Sequence, residues 1–256
     1  MRWTAQDFAN ELARLKGLPL CAVILYGSAA AGDYAGAQSD INLLCVLERI
    51  GRDELDRLAG PVRRWTRAGH SPPLLFARDR LLRSADVFPI ELQDLKETGQ
   101  VLYGEDVLAE VRIQPEHLRI EIEHELRGKL AHLQGQYLRV RDSDRALRAL
   151  LADSVSTFLV LARALLRFFE KEVPKRKLDA LRALGSHTPV DVEAFAAVQA
   201  VKERRAKPRG AVLRAWVERY LAAVEQLVMV ADTQLDSEGR SLLPFTASVE
   251  KKERPA

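Results

Sequence analysis

The stretch ALRALLADSVSTFLVLARALLRFFEK, residues 146–171, is apolar around most of a helix's circumference, and it constrains the fold more than any other part of the chain. Such a helix needs neighbours on nearly every side, so it is expected to start after Ser143 and to run through the centre of a bundle. The flanking sequence supplies the neighbours. From Pro115 onward Leu118, Ile122, Leu126, Leu130, Leu133 and Tyr137 recur at three- and four-residue steps, which makes one apolar stripe on one long helix. Thr188-Pro189-Val190-Asp191 predicts a helix start, with Thr188 as N-cap and Pro189 at the first helical position. A last helix is expected over about Ala211 to Thr233, followed by a poorly ordered polar tail from Asp236 to Ala256.

The texture changes near residue 110. Upstream of it, helical patterns alternate with short aliphatic runs, predicting strands at Ala22–Tyr26, Ile41–Leu47, Leu74–Ala77 and Pro89–Leu95. The expected architecture is an α+β N-terminal domain, a mixed sheet with flanking helices over residues 1–110. An all-α helical bundle follows over 111–236, then a flexible tail over 237–256.

A chain of 256 residues, 47% hydrophobic and 29% charged, has the composition of a soluble globular protein. No apolar run was expected to reach the length that spans a bilayer, and MRWTAQDFANELARLKG reads as an amphipathic helix rather than a cleavable signal. These features predict a cytoplasmic protein without membrane contact; association into a homodimer is compatible with them. Cys21 and Cys45 sit in strand-like apolar contexts without a second ligand at metal spacing, so two buried thiols are expected. A net charge of +3 is too mild to argue nucleic-acid binding alone, yet it permits a polyanionic substrate.

VILYGSAAAGDYAGAQSDINLLCVL, residues 23–47, carries the chemistry. A strand ending at Tyr26 meets Gly27-Ser28, and the next residues can begin a helical turn. Gly27 lets a phosphate approach the backbone, and Ser28 adds a hydroxyl donor near the positive end of the turn. Eleven residues later comes Asp40-Ile41-Asn42, where strand alternation sends Asp40 and Asn42 to one face and Ile41 to the other. Two oxygen donors two residues apart on a strand can hold Mg²⁺ beside bound phosphates.

Gly27-Ser28, the gap of eleven and Asp40-x-Asn42 between aliphatic runs resemble the nucleotidyltransferase signature of the DNA polymerase beta superfamily, hG[GS], about a dozen residues, then [DE]h[DE]h. The resemblance covers roughly residues 15–110; the helical remainder is similar only loosely to the accessory domains of such proteins. It implies a mixed sheet bearing the acids and Mg²⁺- or Mn²⁺-dependent in-line transfer of a nucleoside monophosphate, AMP foremost. The donor would be a nucleoside triphosphate and the acceptor a hydroxyl of a small molecule, a protein or an RNA end. It further implies that Gly27 and Ser28 hold the triphosphate and that Asp40 bridges two ions. Glu91 on the strand Pro89–Leu95 would be the third acid, with Asp94 in reserve. GQVLYGEDVL, just downstream, is similar to the segment that follows this strand in bacterial members. Asn42 departs from the pattern: it offers a carbonyl oxygen without charge where a second carboxylate belongs. A second expectation therefore stands beside the first, a binding module, antitoxin-like, that holds nucleotide or a partner without turnover.

Other features have plainer readings. Each of His70, His117, His124, His132 and His187 has an arginine four to six residues away, a pattern too common in an Arg-rich chain to discriminate anything. Glu121, Glu123 and Glu125 beside Arg127 and Lys129 read as a solvated helix face, with one of them in a cleft as the minority reading. Arg204, Arg205, Lys207 and Arg209 read as a basic surface loop, with phosphate or RNA contact as the second reading. Trp3, Trp65 and Trp216 read as packing residues.

Overall fold

The computed structural model describes residues 3–31, 41–170 and 172–233. Thr4 opens α1 (Ala5–Ala13) through a reciprocal capping box with Asp7, and Phe8, Ala9 and Leu12 form its buried face. Four strands follow among the described residues: β1 (Leu20–Tyr26), β2 (Asn42–Leu47), β3 (Leu74–Ala77) and β4 (Gln100–Gly104). They lie in the order β3-β2-β1-β4. β1 is antiparallel to both its neighbours, whereas β2 and β3 are parallel and are joined through α3 (Arg52–Arg67), the crossover that a parallel pair requires.

Strand alternation divides the sheet into two faces. Val23, Leu43, Cys45 and Leu47 pack with Phe8, Leu12, Leu58 and Trp65 under α1 and α3. Ala22, Ile24, Leu44 and Val46 face the other way, onto α4 (Arg78–Arg83), α5 (Pro89–Thr98) and the turn around Val107 and Leu108. The mixed sheet with helices on both faces agrees with the expected α+β unit, and both cysteines are buried thiols.

Residues 89–98 correct one expectation: they are helical, not a strand. Pro89 takes the first helical position, where its missing N–H costs nothing. Leu92 and Leu95, three residues apart, pack on the sheet, while Ile90 joins the core of the bundle. α5 therefore belongs to two cores at once, and the fourth strand is the QVLYG segment immediately after it.

Beyond β4 the described chain is helical: α6 (Pro115–Val140), α7 (Asp144–Leu166), α8 (Lys177–His187), α9 (Val192–Lys202) and α10 (Gly210–Thr233). α7 is capped by Ser143 and packs against each of the other four, with Leu151, Val155, Phe158, Leu161 and Leu165 buried. By length and composition alone it could cross a bilayer, contrary to the expectation that no run reaches that length. Its apolar surface is spent instead on helical neighbours. Each fully buried Leu or Phe contributes about 1.5–3 kcal/mol, which offsets the burial of the one buried arginine of the helix, Arg163.

The start of α9 differs from the sequence reading. Thr188 ends α8, its hydroxyl donating to the Leu184 carbonyl, and Asp191 is the N-cap that accepts from the Ala194 N–H at 3.2 Å. Either residue is a good cap; Asp191 wins because Arg219 of α10 holds its carboxylate in place. The expected tail, residues 237–256, lies outside the described residues.

Candidate functional site

One end of the sheet gathers the ends of three strands. Tyr26 pairs with Asn42, and Leu25 pairs with Gln100, so the end of β1 and the beginnings of β2 and β4 lie side by side. At this end the chain leaves β1 through Gly27, whose φ of +76° belongs to the left-handed region that glycine enters without penalty. A single helical turn follows, α2 (Ser28–Ala31), closed by the Ala30 N–H on the Gly27 carbonyl at 3.1 Å. Gln100 ties β4 to the turn, its side-chain amide donating to the Ala30 carbonyl at 3.2 Å.

Asn42 stands against this turn. A Cβ on residue 27 would lie 3.0 Å from the Asn42 amide nitrogen, and among the described residues beyond its chain neighbours it would be near no other side chain. By strand alternation Asn42 shares the face of Leu44 and Val46, toward α5, and it is half-buried. The structure thus brings two of the sequence-predicted residues together, Gly27 and Asn42. The Ser28 side chain and Asp40 lie outside the described residues. The helical turn expected after Gly27 is present, and Gly27, half-buried, offers its backbone beside it.

Glu91 sits in the first turn of α5, exposed, rather than on a strand beside Asp40 and Asn42. The parity argument that selected it therefore lapses. Asp94 faces the bundle, where it accepts from Arg163 and, at 3.1 Å, from Arg167; Glu97 accepts from the Arg167 Nη2 and Nε at 2.6 and 2.8 Å. Arg163 is 1% exposed and also donates to the Lys175 carbonyl at 2.6 Å. Burial pulls the Arg167 pKa down, but the two carboxylates outweigh it and leave it raised. Asp94 is thus the anionic half of a cluster that locks α5 to α7. Among the described residues no three His, Cys, Asp or Glu side chains converge into a metal site.

Glu121 has a specific task that the sequence did not reveal. Its carboxylate accepts from the Ile90 N–H at 3.0 Å and so caps the N-terminus of α5, where Phe88 offers no side-chain cap. Glu123 and Glu125 behave as expected of a helix face, pairing with Arg119, Arg127 and Lys129. Burial raises the Glu121 pKa above its ordinary 4.5; the Ile90 N–H opposes this, and the neighbouring Glu91 and Glu125 reinforce it. A carboxyl whose folded pKa is raised contributes its stability below the unfolded value and loses it as pH rises through the folded value. Glu121→Gln keeps an oxygen acceptor for Ile90 and abolishes that loss. Urea unfolding is expected to find the variant equal to wild type at pH 4 and more stable at pH 7.5; a variant less stable at pH 7.5 would contradict the assignment.

No protein-family model matches the sequence, and no curated protein matches it significantly.

Proposed function

We propose that the chain is a nucleotidyltransferase-like protein whose Gly27 turn receives the triphosphate of a nucleoside triphosphate, ATP foremost. The reaction would transfer the nucleoside monophosphate to a hydroxyl acceptor. The observation that supports this best is the positive-φ Gly27 at the end of β1 with Asn42 directly against it, at the end of a mixed sheet. A bare backbone there admits a phosphate that any side chain would exclude. The adjacent carboxamide can donate to a phosphate oxygen through its nitrogen.

The described donors do not fit a two-ion centre. Asn42 is uncharged, and Glu91 projects from a helix instead of a strand. What holds the nucleotide is therefore the turn. The same two residues favour a second reading, a module that binds nucleotide or a partner without turnover.

Asn42→Asp separates the two. Wild type, Asn42→Asp and Asp40→Ala would be titrated with ATP in Mg²⁺ or Mn²⁺ and followed for pyrophosphate release in the presence of candidate acceptors. A transferase releases pyrophosphate in wild type, faster by about tenfold or more once the second carboxylate is restored, and loses it in Asp40→Ala. Binding without release in wild type, with release only in Asn42→Asp, supports the second reading. ATP binding that is absent from both wild type and Asn42→Asp refutes both.

A further inference from the structure

A second cationic feature lies far from Gly27. Between the N-terminal half of α7 and the connection from α9 to α10 is a hollow of about 660 Å³, lined by Arg148, Lys202, Arg204 and Lys207, with Asp153 the single carboxylate on its rim. Arg148 and Arg163 are both on α7, fifteen residues apart in sequence. At about 1.5 Å per residue, the hollow is therefore roughly 22 Å along the axis from the junction with α5.

The loop that forms its wall is fixed at three points. Arg148 donates to the Pro208 carbonyl at 3.0 Å, the Gly210 N–H donates to the Asp144 carboxylate at 2.7 Å, and the end of α9 is closed by a Schellman pair. In that pair the Arg205 N–H reaches the Ala200 carbonyl at 2.8 Å and the Arg204 N–H reaches the Val201 carbonyl at 3.0 Å. The second of these donors, Arg204, adopts φ +60° at the position that glycine usually fills. Among the described non-glycine residues it alone has a positive φ. Its side chain lines the hollow, and neither Arg204 nor Lys207 has a carboxylate partner among the described residues. Arg205, by contrast, is paired with Glu203, and Lys202 is tethered to the Ser156 hydroxyl. An arginine kept in a conformation that disfavours it, unpaired, on a preorganised wall of like charges is expected where the ligand is an anion.

The hollow adjoins a cleft of about 520 Å³ between α6 and α7, with which it shares Ala149 and Asp153. Leu133 and Phe158 contribute an apolar floor there, and His132 and Gln136 line its side. Both volumes fall within the range of small-molecule sites, about 300–1,000 Å³. We infer that the hollow binds a compact polyphosphate, and that the adjoining cleft, which meets it at Ala149 and Asp153, receives an apolar ring attached to it. Four cations around one recess suit consecutive phosphates better than a single carboxylate.

The test is calorimetric titration of the full chain in EDTA, where a metal-dependent site at Gly27 makes no contribution. The probes are tripolyphosphate, ATP and a twelve-residue oligouridylate. Tripolyphosphate is expected to bind wild type and Gly27→Val alike, with ATP at least as tight. Arg204→Gly with Lys207→Ala is expected to weaken both by about tenfold or more. Arg204→Gly alone reports strain separately: its thermal midpoint should rise by about 2–4 °C while its affinity for tripolyphosphate falls. Absence of tripolyphosphate binding in wild type, or unchanged affinity in the double variant, overturns the inference. So does binding that Gly27→Val abolishes, which assigns the anion to the strand-end turn, or oligouridylate binding tighter than tripolyphosphate, which points to an extended nucleic-acid surface. Failure of the nucleotidyl-transfer reading leaves every arm of this titration interpretable.

Discussion

Asp94→Ala is expected to cost the folded state about 3–5 kcal/mol, the usual penalty for removing one partner of a buried ion cluster. Arg163, 1% exposed, keeps only the Lys175 carbonyl after the change, and its Nε already has no partner. Arg167 is better protected because Glu97 grips it through two nitrogens. The loss should therefore come chiefly from Arg163. Asp94→Asn, which preserves an oxygen but not the charge, should fall between wild type and Asp94→Ala. Adding Arg163→Met to Asp94→Ala should recover part of the loss, because the uncompensated charge is removed with its partner. Urea unfolding of the three variants measures this directly, and a cost below about 1 kcal/mol for Asp94→Ala would show that the cluster is solvated. The same substitution tests the coupling of the two cores. α5 gives Leu92 and Leu95 to the sheet and Ile90 and Asp94 to the bundle, so loosening it should make the sheet and the bundle unfold at separate midpoints.

The errors at α5 and at Thr188 have the same origin. Ile90 and Leu92 alternate as a strand would, and the residues that reveal a helix, Asp94 and Glu97, are charged, so an apolar-period reading passes over them. Their partners lie about seventy positions away, which no local pattern encodes. Pro89 was the available local signal, a first-turn proline that is also compatible with a strand edge. Thr188 and Asp191 are both competent caps, and the choice between them is made by Arg219 on another helix. The burial of Arg163 was hidden for the same reason. Where structure follows from local chemistry the sequence was sufficient: Leu74–Ala77 forms the strand its run predicts, α7 starts after Ser143, and Gly27 turns the chain into a helical turn. The meeting of Gly27 with Asn42 was legible because β1 and β2 are consecutive and antiparallel, which returns the second strand to the end of the first. The position of Glu91 was not legible, since its strand assignment rested on the alternation of Ile90 and Leu92 alone.

Gly27→Val should remove the metal-dependent nucleotide binding at the end of β1 while sparing most of the fold, and the contrast with Gly104 shows why. Both glycines have positive φ, +76° and +80°. A Cβ on Gly104 would come within 1.8 Å of the Cys21 carbonyl oxygen, inside the β1–β4 pairing, so any side chain there must push two strands apart. Among the described residues a Cβ on Gly27 would meet the end of the Asn42 side chain, at 3.0 Å, and that amide can swing away. The backbone penalty at residue 27 is then about 1–2 kcal/mol. What the branched side chain removes is the open approach to the backbone, and the displaced Asn42 can no longer present its amide to the same place. If the turn holds the triphosphate, ATP affinity should fall by about a hundredfold or more, equivalent to about 2.7 kcal/mol, while the unfolding transition stays cooperative. Titration calorimetry in Mg²⁺, with Arg204→Gly and Lys207→Ala present to silence the α7 hollow, reads the loss of affinity, and urea unfolding reads the fold. Affinity that survives Gly27→Val in that background would move the nucleotide away from the end of β1, whereas a loss of affinity together with cooperative unfolding would tie the phosphate to the turn at Gly27.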